Sequence, residues 1–448
     1  MSHATKRVSI AAAALLLACL STAHAALLQD VVVYTDGTQF YARGDIDETI
    51  IKQSDDAAEV IQAGLDSIGE AGGEVLIKSG RYPITRTLTM KSNTSLLGRG
   101  RGTQLMVNIA DENACGIFLG NLKGSVVKNL ALVSVESNQA ANGIALTHCG
   151  DCKVIDVYVQ GFPMHGIYLA DNSFLCEIRG CSLAGNKKAG ILMENLAGGG
   201  RGGDYVPNLV SNCIAYGGGM GFELSNVLVA NLVGCMVYQT EGTAFYLHSH
   251  TCSIVLSGCR TFQVGGDAVL VDFSHEITIT GNTFCWQEGH GIVLDNSRWG
   301  AITGNNIIDN GSTNIFDPEK HEFIKYQEGR QFRDKWPENR EMTHKTGILM
   351  RNMTKGFTVT GNAIFNWPVT PTMEWGIFED ETCVKNVFVG NNINKAKGDI
   401  SSSGQESYVS ANVSHLPTSF HGKVQPEDPA DHIYQYFDTR YIKAFIEE

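Results

Sequence analysis

Three aspartates and a histidine carry the first chemical signal in this chain: Asp267, Asp272, Asp295 and His290. Two carboxyl groups flanking one bond can divide proton transfer between them, one donating while the other attacks or activates water. Glycosidic bonds are cleaved in this way, with the carboxyls about 5–5.5 Å apart for retention and about 6.5–9.5 Å apart for inversion. Neighbouring carboxyls cannot both ionise freely, which is how one of them is kept as an acid near neutral pH. Residues suited to holding a polar substrate or abstracting a proton lie nearby in sequence: Glu223, Tyr246, His248, Trp286 and Arg351. Arg333 and Trp336 belong to a charged, aromatic stretch between Asp295 and Arg351. His248 and His250 fall on one side of an extended chain, and "CGDC" (Cys149, Cys152) has the spacing of half a zinc site. No second half follows, and no metal site is assigned.

These residues matter together only if the fold brings them together, and a repeat supplies the means. Gly-Ile-x-Leu and its variants recur at Gly116, Gly143, Gly166, Gly190, Gly221, Ala244, Ala268, Gly291, Gly347 and Gly376. The commonest step is 23 to 24 residues. A second ladder keeps phase with the first: Cys181, Cys213, Cys235, Cys259, Asn282, Asn305, Asn362 and Asn391 each close a segment such as "LVGC" or "ITGN". Alternating apolar residues flank every one, the mark of a half-buried strand. Two ladders locked at this period describe an all-β parallel solenoid, each coil stacked about 4.8 Å above the last. Because asparagine replaces cysteine in one ladder, the slot calls for a small turn-filling residue rather than for disulfide or metal.

Stacking turns the repeat into columns. Asp272 should face Asp295, with His248 on one side of the pair and Arg351 on the other. Thr243, Asp267, His290 and Thr346 form another column just before the motif, and Glu223 and Tyr246 occupy the central outward position. Two insertions, residues 196–208 and 312–345, leave from opposite edges of this strand column and so could wall a groove. Each site residue also has a plain structural reading. Asp272 and Asp295 could solvate strand ends or share Arg351, Asp295 could be held by Arg298, and Trp286 could serve packing alone.

Before the coils, "SDDAAEVIQAGLDSIGEAGGEVLIKSGRYPI" predicts a helix capped by Ser54 or Asp55, with Ala58, Val60, Ile61, Leu65 and Ile68 as its apolar stripe. A solenoid needs its first coil covered. From residue 55 to 414 the chain resembles the pectin-lyase-like superfamily. That resemblance implies a right-handed, single-stranded parallel β-helix with an N-terminal capping helix. It divides the chain into a segment 26–92, coils 93–414 and a C-terminal tail or cap 415–448. Locally the chain is similar to the polygalacturonases, whose catalytic motifs here read "EGT", "GGD", "EGHG" and "ILMR". Asp267 and His290 match residues of that pattern and Arg351 stands where its lysine would. Thr243 and Gly266 replace two of its aspartates and Leu349 its arginine, so standard polygalacturonase activity is not expected.

Residues 1–25 read as an export signal: Lys6 and Arg7, the apolar "IAAAALLLACL", then "AHA" before the cleavage point. The product would be periplasmic or secreted, or lipid-anchored at Cys19 under the alternative reading of "LLAC". A formal charge of −13 argues against nucleic acid and anionic membrane as partners, and no later apolar run is long enough for membrane insertion. The leading expectation is an exported glycoside hydrolase acting on a polysaccharide or oligosaccharide, without cofactor. Its alternatives are a lyase or uronate epimerase, for which calcium would be considered, and a non-catalytic glycan-binding surface protein. Homo-oligomers built around such a fold remain open.

Overall fold

The computed structural model describes residues 30–196, 207–311, 345–366, 373–394 and 396–415, together with a short antiparallel pair, Phe316–Asp317 and Glu322–Phe323. The proposed signal segment, most of both insertions, Arg333, Trp336 and nearly all of the C-terminal tail lie outside the described residues.

One coil explains the rest. Ala230–Val233 belongs to a first sheet, Met236–Tyr238 to a second and Phe245–His248 to a third, after which Cys252–Ser257 returns to the first. Each strand pairs in parallel with the strand one coil later, as Leu232 with Leu256, Val237 with Thr261 and Leu247 with Val271. Among the described residues the first sheet has 16 strands, the second 13 and the third 12, every long stack ordered along the coil axis. Alternation sends every second residue inward, where like side chains pile up; Phe222 and Phe245, for example, stack at 5.2 Å with planes 7° apart.

The corner between first and second sheets holds the cysteine–asparagine ladder. Gly234, Gly258, Gly281, Gly304, Gly361 and Gly390 turn this corner with φ of 63–68°, a left-handed conformation that glycine adopts without penalty. The next residue points into the core. Cys181, Cys213, Cys235 and Cys259 each donate a thiol to a backbone carbonyl of the preceding coil at 3.5–3.7 Å. Asn282, Asn305, Asn362 and Asn391 do the same with an amide at 2.9–3.0 Å, and each also accepts the backbone N–H of the residue stacked before it. The slot therefore serves packing and corner hydrogen bonding. All eleven described cysteines are free thiols, ten of them buried and Cys285 half-buried. Native protein treated with a thiol reagent should therefore react at most at Cys285 among these, and at all eleven once unfolded, as counted by mass.

The corner after each third-sheet strand is also left-handed. Asn121, His148, Asp171, Asn195, Asn226, Ser249, Phe273, Asn296 and Asn352 occupy it with φ of 46–57°. Short polar side chains tolerate this conformation by bonding locally. Phe273 is the one member without a polar group.

At the N-terminal end, helix α1 (Ala57–Ser67) buries Ala57, Ala58, Val60, Ile61 and Leu65 against the first strands, and Ile68 just beyond it is buried too. The cap is Asp56, not Ser54 or Asp55. Its carboxylate accepts Glu59 N–H at 3.1 Å, while Ser54 supports the turn from outside by accepting Asp56 N–H at 3.2 Å and donating to the Glu59 carboxylate at 2.8 Å. Gly64 lets the helix settle onto Val31 and Val75, since a Cβ there would lie 3.2 Å from Val31. Ahead of the helix, Val31–Thr35, Phe40–Gly44 and Ile50–Ser54 form an antiparallel meander that extends the first sheet.

Candidate functional site

The third sheet presents the residues singled out by type, but in two groups. Asp272 lies opposite Asp295, and Asp295 opposite Arg351, on three successive strands. On the coils before them, Ser225 pairs with His248 and Glu223 with Tyr246. These residues share the C-terminal side of the sheet. Asp267 and His290 stand at the other edge. Five residues of extended chain separate Asp267 from Asp272, a span of about 16 Å at the usual strand rise. The structure thus brings Asp272 and Asp295 together and keeps Asp267 and His290 apart from them.

Within the first group, Asp295 is fully engaged. Arg351 Nε donates to one carboxylate oxygen at 2.7 Å and Asn352 Nδ2 to the other at 2.7 Å. Arg298, three residues further along the chain, is not the partner. The Asp295 side chain is 16% exposed and Arg351 46%, so the guanidinium bridges an anchored carboxylate and open solvent. His248 Nε2 lies 3.2 Å from a Glu223 carboxylate oxygen, and this contact holds the Glu223 carboxyl below its usual range. The His248 ring stacks on Tyr246 at 4.2 Å. Burial, with the carboxylates of Asp272 and Glu223, raises the Tyr246 phenol above its ordinary pKa. Asp272 itself is half-buried, paired with the engaged Asp295 on one coil and hydrogen-bonded to the Tyr246 phenol of the other.

The second group is built differently. The backbone N–H of His290 donates to Asp267 Oδ1 at 2.6 Å, and Gly289 makes this possible because any side chain there would strike that carboxylate. Burial raises the Asp267 pKa. His290 Nδ1 accepts the backbone N–H of Thr346 at 3.0 Å, which puts the imidazole proton on Nε2. Burial, reinforced by the charges of Lys345 and Arg351, lowers the His290 pKa to about 4. His290 is therefore a neutral edge residue stitching two coils together. His165, in the same column, is lowered to about 4 by burial as well and meets Asn142 at 3.0 Å.

A depressed histidine stabilises the fold above its unfolded pKa of about 6.5 and loses that contribution as pH falls through the folded value. Each of these two histidines should therefore weaken the protein between pH 6.5 and about 4. Asp267, shifted the other way, partly opposes them as it protonates. His290→Asn keeps an acceptor for Thr346 N–H without titrating. Its urea midpoint should fall less steeply with acid than the wild type's, by about 2 kcal/mol over the window after allowance for partial exposure. Parallel slopes would refute the assignment.

Trp286 sits at the corner between second and third sheets, away from the aspartate pair. Its indole N–H donates to Asp309 at 2.8 Å and its ring packs on Phe262 at 4.8 Å. Sequence reasoning did not single out Asn352, because it lies one residue past the column and turns back through its left-handed corner. Nor did it find the Glu223–His248 contact, a diagonal between neighbouring strands. A shallow depression of about 390 Å³ borders Glu223, between Lys187, Lys188, Met220 and Glu241. No group of three or more His, Cys, Asp or Glu among the described residues could hold a metal ion, and no described helix is long and apolar enough to cross a membrane.

Residues 142–308 match the family model for the right handed beta helix region. The chain is a right-handed parallel β-helix. Solved structures agree with this β-helix over most of its length. The A-module of a mannuronan C-5 epimerase from Azotobacter vinelandii is 18% identical, covers 80% of this chain and 95% of its own, and superposes with a TM-score of 0.65. A tailspike protein of E. coli bacteriophage HK620, in complex with pentasaccharide, is 12% identical over 82% of this chain and 79% of its own, with a TM-score of 0.54. The catalytic domain of an alpha-1,3-glucanase in complex with nigerose is 12% identical over 79% of this chain and 67% of its own, with a TM-score of 0.51. Identities this low establish the fold that the pectin-lyase-like resemblance implies, and leave the activity to the site. A search of curated proteins gave no match.

Proposed function

We propose that this β-helix is an exported carbohydrate-active enzyme that cleaves a polysaccharide or oligosaccharide laid along the third sheet. The observation that carries the proposal is the registered pair Asp272 and Asp295, with Asp295 anchored by Arg351 and Asn352. Adjacent strands put the backbones of the two residues about 4.8 Å apart, close enough for their carboxyls to reach the roughly 5–5.5 Å separation of retaining glycoside hydrolases. Asp295, held on both oxygens, serves as the charged partner facing the sugar carbon. Asp272 exchanges the proton with the glycosidic oxygen and then with water. Glu223, Tyr246 and His248 position the sugar on the preceding coils. Support for a carbohydrate ligand also comes from the similar structures, an epimerase module named for mannuronan and two proteins solved with bound sugars.

A second reading has its own observation. Tyr246 and His248 stack on the coil before the aspartate pair and Arg351 stands on the coil after it, a base and a cation that would lie along one bound uronate chain. Elimination or epimerisation would use these groups. One experiment separates the readings: incubate the protein with neutral and acidic polysaccharides and follow reducing ends together with ultraviolet absorbance. Reducing ends alone support hydrolysis. Both signals would transfer the chemistry to Tyr246 and His248, and unaltered but tightly bound glycan would leave a binding protein.

A further inference from the structure

The left-handed corners hold two side chains that the fold does not require. Phe273 follows Asp272 directly, has φ 47°, and is 43% exposed. Every other member of its column carries a polar group that can bond locally in this conformation, whereas a phenyl ring gains nothing from it and pays the steric cost. On the far flank of the same corner, Trp299 has φ 54° and is 52% exposed. The other left-handed members of its column are Asn93, Gly124, Asp151, Leu175, Ser253, Glu276, Gly356, Lys385 and Glu406, with no second aromatic residue. Gly356 gives it room, since a Cβ there would stand 2.7 Å from the indole. Each ring is braced by a histidine: His250 meets Phe273 edge-on at 4.2 Å, and His275 meets Trp299 at 6.4 Å, at 78°.

From these outliers we infer that Phe273 and Trp299 form a sugar-stacking subsite continuous with the aspartate pair. The inference rests on the proposed glycan-cleaving role of Asp272 and Asp295. A pyranose ring presents an apolar face of C–H groups with hydroxyls at its rim. It suits two exposed rings whose edges are lined by imidazoles, and no packing role accounts for placing apolar aromatics in strained, solvent-facing corners. The subsite carries the substrate off the third sheet and around the corner toward the first, next to the bond being cleaved.

The test exploits the corner preference itself. Phe273→Asn restores the residue type that the column favours, so its melting temperature should equal or exceed that of the wild type. Trp299→Ser should behave alike. With oligomannuronates and α-1,3-linked glucose oligosaccharides of two to six units as probes, each variant should raise KM for the longer chains about three- to tenfold, the worth of one aromatic contact, with kcat nearly unchanged. A lower melting temperature in Phe273→Asn with unchanged KM would assign the ring to packing and overturn the inference. Unchanged melting temperature and unchanged KM in both variants, with the wild type active, would also overturn it while leaving the catalytic reading intact. A wild type that neither binds nor alters either probe would remove the catalytic reading and the subsite together.

Discussion

Replacing Asp272 by asparagine should lower turnover of the glycan by about 10²- to 10⁴-fold, the range associated with losing a positioned acid or base. The melting temperature should hold. Asn has the same shape, the side chain is half-buried at a strand end, and its amide oxygen can still accept from the Tyr246 phenol that bonds to Asp272. The contrast with its neighbours sharpens the expectation. In Asp295→Asn the anchor of Arg351 is weakened, so KM should rise along with the fall in kcat. In Asp267→Asn the acceptor for His290 N–H survives and a carboxyl raised by burial is removed, so stability at neutral pH should hold or improve with little loss of turnover. Sign follows from linkage: a carboxyl whose folded pKa is raised costs stability above that pKa. Equal activity of Asp272→Asn and wild type would end the hydrolytic assignment.

The second large effect is on folding. Asn305 is fully buried and its side chain makes four hydrogen bonds. Its amide donates to Ile279 O at 3.0 Å and to Asn362 Oδ1 at 2.9 Å, and its carbonyl accepts the backbone and side-chain N–H groups of Asn282 at 3.0 and 2.9 Å. Leucine would fill the volume but leave buried backbone groups of Ile279 and Asn282 without partners, each worth roughly 1–3 kcal/mol. Asn305→Leu should therefore lose about 3–5 kcal/mol in denaturant unfolding, a size reserved for broken buried networks. Asn305→Cys should lose less, because Cys259 fills the equivalent slot one coil before Asn282 and still donates to Leu232 O at 3.6 Å. A loss below about 1 kcal/mol for leucine would mean that the ladder is dispensable.

Stacking is why so much of this architecture is legible in the chain. In a parallel solenoid the residues 23 positions apart are spatial neighbours, so Asp272 opposite Asp295 opposite Arg351 follows from aligning Gly-Ile-x-Leu. The apolar stripe of α1 follows from helical period, and the small buried ladder from the replacement of cysteine by asparagine along it. What escapes are contacts that leave the columns. Asn352 returns to Asp295 through a left-handed turn, and His248 meets the Glu223 carboxylate diagonally across neighbouring strands. The division of the aspartates between two sheet edges depends on strand rise rather than period, and columns alone place all three on one face. Trp286 is of a type suited to sugars, but residue type alone does not show its corner position or its indole bond to Asp309.

Construction from whole turns has a consequence for how such a protein can change its preference. Every position along the third sheet advances in steps of one coil, so duplicating or deleting a single repeat lengthens or shortens the sheet by a fixed increment without disturbing the rest. For the proposed glycan site, recognition of longer or shorter chains becomes a matter of counting turns, and the left-handed residues after the third sheet, none of them in the core, can be exchanged one turn at a time to grade each step.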